Sequence, residues 1–139
     1  HRNVAMFYGE VDDVRGPCLL LELYQPRDFN VLLLNRAPLP AEEIRFYGLQ
    51  LVKGLAHIHR AGIRHCDMKP ENVLVGSGMQ LKISDFGLAE DSKRVVGTPT
   101  YWAPEVLLGK VHTNKIDVFS LGVMFHMMFA RAWPDITAG

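Results

Sequence analysis

Three short polar motifs, in one fixed order, constrain this chain more than any other feature of it. His65-Cys66-Asp67-Met68-Lys69-Pro70-Glu71-Asn72 comes first, Asp85-Phe86-Gly87 second, and Ala103-Pro104-Glu105 third. The first two bring two aspartates, an asparagine and a lysine within one stretch of chain, and a short loop between strands can converge such groups. These are the residue types that phosphoryl transfer requires: a carboxylate at the attacking hydroxyl, a cation for the phosphates, and hard oxygen ligands for magnesium. Taken singly, each aspartate reads as a solvated turn residue. Three motifs in register outweigh that reading.

The surrounding pattern predicts the elements that carry them. Apolar runs at residues 4–8 and 19–23, joined by a polar segment with Asp12, Asp13 and Gly16, predict a hairpin. From Pro40 onward, Ile44, Tyr47, Leu51, Leu55 and Ile58 recur at helical spacing on one face. Pro40 with Glu42 and Glu43 suits the start of that helix, and Gly62 suits its end. Residues 73–75 and 81–83, separated by Gly76-Ser77-Gly78, predict a second hairpin. Residues 85–110 lack a sustained period and are rich in glycine and proline, which predicts a long functional loop. Residues 114–130 are apolar nearly all round, as in a helix surrounded by protein. The class is α+β.

Composition narrows the partners. A chain of 139 residues that is 48% hydrophobic can bury one sizeable core. Lysine plus arginine equals aspartate plus glutamate at 15 each, so no overall pull toward nucleic acid or an anionic membrane is expected and any phosphate binding must be local. Cys18 and Cys66 lack CxxC spacing, which argues against a disulfide scaffold or a zinc site and favours a reducing compartment, the cytoplasm or the nucleus. The stretch 118–130 is interrupted by Ser120 and His126 and is short of the roughly 20 apolar residues that a membrane span needs.

Together the motifs resemble the protein kinase family, and the resemblance covers essentially the whole chain. It implies a mostly α-helical C-lobe portion with the last N-lobe strands, residues 1–24 ending the N-lobe and hinge and residues 25–139 belonging to the C-lobe. By resemblance, Asp67 accepts or orients the substrate hydroxyl proton, Lys69 steadies the transferred phosphate, and Asn72 and Asp85 hold Mg2+. Lys69 and the pair Gly97-Thr98 match the serine/threonine class, with Thr98 bonding Asp67 and Lys69. The resemblance further implies ATP as cofactor and proteins bearing Ser or Thr as substrates. Leu21 becomes the gatekeeper, backbone groups of Glu22 and Tyr24 contact adenine, Leu74 forms the floor under it, and Asp28 lies near the ribose or caps a helix. His65 and Phe86 match stacked spine positions, and Asp117 matches the anchor of the catalytic loop.

Two departures stand out. Cys66 occupies the position where the family carries an arginine that pairs with an activation-loop phosphate, so dependence on phosphorylation at Ser92, Thr98 or Thr100 through that contact is expected to be weak. These residues include no glycine-rich loop and no strand lysine with its helix partner, while His1-Arg2-Asn3-Val4 resembles the loop after helix C. The chain therefore reads as the middle of a kinase domain, and the isolated piece is expected to transfer little phosphate. A scaffold that keeps the shape without the chemistry is the alternative. A small-molecule phosphotransferase ranks lower, because such enzymes generally lack the third motif.

Overall fold

The computed structural model describes residues 1–24, 28–89, 97–111, 113–130, 132 and 134. Its opening strands β1 (Phe7–Asp13) and β2 (Gly16–Leu21) pair antiparallel, with Asp13 opposite Gly16. The hairpin is the expected one, but its strands are displaced. Asp12 and Asp13 continue the ladder instead of forming the turn, which shrinks to Val14 and Arg15. Most of the hairpin is exposed, so charged side chains cost the strand little and the apolar run does not mark its ends.

A helix that the periodicity did not announce follows. The helix α1 (Phe29–Arg36) is too short for its spacing to separate it from a strand. Its start is set by Asp28, whose Oδ1 accepts the Val31 N–H at 2.9 Å, and it buries Phe29 and Leu33 one turn apart. The longer α2 (Ala41–Arg60) is the one expected, and Ile44, Tyr47, Leu51, Leu55 and Ile58 are all buried along it. It ends as predicted at Gly62, where the Gly62 N–H donates to His59 O and the Ile63 N–H to Ile58 O, the paired bonds of a left-handed helix terminus.

Strands β3 (Val73–Val75) and β4 (Leu81–Ile83) form the second expected hairpin. The N-terminal segment is laid beside β4. Ile83 N–H donates to Asn3 O at 3.0 Å, and Ala5 N–H donates to Ile83 O at 2.8 Å. The buried Asn3 side chain donates to Leu81 O and Gln50 Oε1, which ties this segment to β4 and α2 together.

The expected loop over residues 85–110 carries a 3₁₀ turn at Pro99–Tyr101 and a short helix α3 (Pro104–Leu107). Ser92, with Lys93 and Arg94, lies outside the described residues, as does His112. The last helix, α4 (Lys115–Ala130), buries Ile116, Leu121, Val123, Met124 and Met128, so its methionines serve packing. The expectation of burial all round holds for part of its surface only, since Val118 is 49% and Phe129 61% exposed. Phe29, Leu33, the α2 stripe, Met68, Val73, Leu81, Ile83 and the two buried methionines make one core, and the catalytic-loop motif runs directly over it. Neither Cys18 nor Cys66 is joined in a disulfide. Among the described residues, no helix is long and apolar enough to cross a membrane.

Candidate active site

Asp117, buried in the first turn of α4, is the post on which the catalytic loop hangs. Its Oδ2 accepts the His65 N–H and its Oδ1 the Cys66 N–H, each at 2.9 Å, the anchoring expected of it. His59 from the end of α2 adds a third bond, its Nε2 lying 2.8 Å from Asp117 Oδ2. Between these bonds Cys66 adopts a left-handed backbone, φ 66°, and its side chain packs with Ala103, Val106 and Ile116. A thiol in that apolar cluster offers no cation to a phosphate.

His65 itself is buried and tilted against Phe86, with ring centroids 5.1 Å apart, as the spine expectation requires. Its Nε2 donates to Ser84 O at 2.9 Å while its Nδ1 accepts the Asp67 N–H at 3.3 Å, so the ring is the neutral Nε2–H tautomer. Burial agrees, holding its pKa below the ordinary imidazole range.

The Asp67 carboxylate is the centre of the cluster. Its Oδ1 accepts the Thr98 N–H at 2.8 Å and the Thr98 hydroxyl at 2.9 Å. Its Oδ2 accepts from Asn72 Nδ2 at 3.0 Å and pairs with Lys69 Nζ at 2.7 Å. Lys69 also donates to Thr98 Oγ1 at 2.8 Å, which closes a ring of three side chains. Burial pushes the Asp67 carboxyl up, but the bonds from Lys69, Thr98 and Asn72 outweigh it and hold the group below its ordinary value. Gly97 makes the approach possible. Its φ is +95°, and a Cβ there would collide with the Cys66 carbonyl oxygen.

Asn72 donates from Nδ2 to both Asp67 O and Asp67 Oδ2, which turns its Oδ1 away as a free hard donor. Its carbonyl accepts from the Ser84 N–H and hydroxyl, so the residue before Asp85 is fastened to the same loop. Asp85 is exposed, has φ 61°, and bonds the Gly87 N–H of its own turn rather than the cluster. Among the described residues no group of three His, Cys, Asp or Glu could hold an ion unaided. An amide oxygen and one carboxylate nevertheless fit magnesium, which keeps waters and phosphate oxygens as its other ligands.

The residues expected to meet the nucleotide base form a second group. Leu21 ends β2, half exposed and opposite Phe7. The Glu22 N–H is committed to Met6 O at 2.9 Å, so of its two backbone groups the carbonyl is the one left for the adenine contact expected of this residue. The Tyr24 ring lies over Gly76 at the end of β3, and Leu74 sits mid-strand, bridged to Asp28. Of the two roles weighed for Asp28, helix capping occupies its Oδ1. Sequence reasoning missed Lys82, whose ammonium bonds Glu22. The available signal was a lysine inside a strand otherwise made of buried Leu81 and Ile83.

These shifts make acid stability predictable. His65 has a lowered folded pKa, so below its ordinary 6.5 the unfolded chain takes up a proton that the fold does not, and stability falls with pH. Asp67 is also lowered, so its contribution is complete above its ordinary 3.8 and is lost as pH falls through the folded value. Urea unfolding from about pH 7.5 to about pH 3 should show both losses, and the earlier one should be absent in His65→Asn. Equal stability at the two ends would refute this account.

The protein kinase domain family model matches residues 1–135. A probable serine/threonine-protein kinase, CCRP1 of Zea mays, is 38% identical over 99% of this chain and 23% of its own length. Serine/threonine-protein kinase PLK2 of Mus musculus is 37% identical over 94% of the chain and 20% of its own. The human testis-specific serine/threonine-protein kinase 3 is 35% identical over 96% of the chain and 53% of its own. The chain thus spans about a quarter or less of the first two relatives. With its Asp67, Lys69, Asn72 and Thr98 joined in one hydrogen-bonded cluster, this chain belongs to the protein kinase domain family.

Proposed function

We propose that the full-length protein carrying this chain is a serine/threonine protein kinase that transfers the γ-phosphoryl group of ATP to hydroxyls of protein substrates. The observation that carries the reading is the Asp67 carboxylate, buried beside Lys69 and kept ionised by three donor side chains. In this reading Asp67 orients the incoming hydroxyl and takes up its proton as the bond to phosphorus forms. Lys69, already poised by Thr98, follows the phosphoryl group as charge moves onto it. Asn72 Oδ1 and the Asp85 carboxylate hold magnesium, which neutralises charge on the phosphates when bound.

Residues 1–24 then serve as the end of the N-lobe and the hinge. Leu21 is the gatekeeper, Leu74 forms the floor under the adenine, the Glu22 carbonyl and the Tyr24 backbone bond it, and Asp28 stands toward the ribose while capping α1. A reducing cytoplasmic or nuclear setting suits two cysteines that form no disulfide.

The test is transfer of label from γ-labelled ATP to serine- and threonine-containing peptides by the full-length protein, with Asp85→Asn beside it. Transfer by the unsubstituted protein that falls at least about 10²-fold in the variant is expected. A folded protein that binds MgATP and transfers nothing would favour the scaffold reading instead.

A further inference from the structure

Neighbouring residues of β4 hold both legs of the β1–β2 hairpin. On the entering leg, the Ile83 backbone exchanges hydrogen bonds with Asn3 and Ala5. On the leaving leg, the Lys82 side chain reaches Glu22, with Nζ 2.9 Å and 2.7 Å from the two carboxylate oxygens. The same ammonium stands 5.3 Å from the centre of the Tyr24 ring, which in turn rests on Gly76. The side chains of Lys82 and Glu22 are only 11% and 28% exposed, whereas Arg15 of the hairpin's own Arg15–Asp13 pair is 85% exposed. Burial alone would pull the Lys82 pKa down, and the Glu22 carboxylate outweighs it.

A lysine in a three-residue buried strand is costly, and packing gives no reason for it. The Glu22 peptide is the element it affects most. With its N–H bonded to Met6 and its carboxylate to Lys82, Glu22 is gripped on two sides, so its carbonyl direction is set.

We infer that Lys82 is a positioning residue for the nucleotide: by gripping Glu22 it sets the spacing between the hinge backbone at residues 22–24 and the Leu74 floor on β3. Its nucleotide part rests on the reading of the preceding subsection. Neither Lys82 nor the Glu22 carboxylate touches the base. The grip works through the backbone, and breaking it lets the leaving leg of the hairpin swing while Ile83 still holds the other.

The experiment compares the full-length protein with Lys82→Met, with Glu22→Gln, and with the exchanged pair Glu22→Lys plus Lys82→Glu. Two readouts are taken, local amide hydrogen exchange at residues 22–24 and binding of a fluorescent ATP analogue with magnesium. Each single variant should speed exchange at residues 22–24 and weaken nucleotide binding about five-fold, and the exchanged pair should recover most of both. Exchange along α2 should stay as it is, which a general loosening of the fold would not allow. Unchanged exchange at residues 22–24, or no recovery in the exchanged pair, overturns the inference. If the unsubstituted protein binds no MgATP, the kinase reading falls, and the exchange data alone decide whether Lys82 grips the hinge.

Discussion

Replacing Asp67 with asparagine should cut phosphoryl transfer by at least about 10²-fold and should also loosen the segment that carries Thr98. The first effect follows from losing the base proposed above. The second follows from the donors around it. The Thr98 N–H and hydroxyl, the Asn72 amide and the Lys69 ammonium all point at the two carboxylate oxygens. An amide has one oxygen to offer and turns an NH2 toward the remaining donors, so a buried mismatch of about 1–3 kcal/mol is expected. Asp67 is thus not a purely chemical residue whose loss leaves the fold untouched. Steady-state kinetics should show a fall in kcat with the peptide KM little changed. Denaturant unfolding should show a lower midpoint with the same slope. A variant with the unsubstituted rate would remove Asp67 from the mechanism, and one with unsubstituted stability would remove it from the clamp on Thr98.

Asp117→Ala should destabilise the fold by about 3 kcal/mol or more, the largest stability loss expected from any single polar residue described. The carboxylate is 1% exposed and accepts from the His65 and Cys66 N–H groups and from the His59 ring. Alanine leaves those backbone donors buried without partners. It also frees Cys66, whose left-handed backbone those bonds hold at a cost of about 1 kcal/mol or more. Once Cys66 relaxes, Asp67 moves with it, so activity should fall together with stability. Asp117→Asn keeps one acceptor oxygen and should lie between the two. Equilibrium unfolding in urea checks the order, and a loss below about 1 kcal/mol in the alanine variant would contradict it.

Much of the site was legible in the sequence because the groups lie close together along the chain. Asp67, Lys69 and Asn72 share one loop, and loop geometry between α2 and β3 leaves them little choice but to converge. The α2 stripe was legible for a different reason, since twenty residues give a helical period room to repeat. α1 was not, because eight residues with four consecutive apolar positions satisfy a strand pattern as well as a helical one. The hairpin ends were misplaced because an exposed ladder is held by backbone bonds, which carry no side-chain signal.

By itself the sequence determined the class of the fold, the family, and the chemical identity of the groups at the centre, since all three reside in residue types and short spacings. Only the tertiary structure decided which partner each polar atom takes. That Thr98 spends both donors on Asp67, that Asp117 carries the loop from the far end of the chain, that the Glu22 N–H is spent on Met6, and that Lys82 reaches Glu22 are contacts between residues distant in sequence. The physical reason is that hydrogen bonds and ion pairs act over about 3 Å, and only packing of the shared core brings such residues within that range.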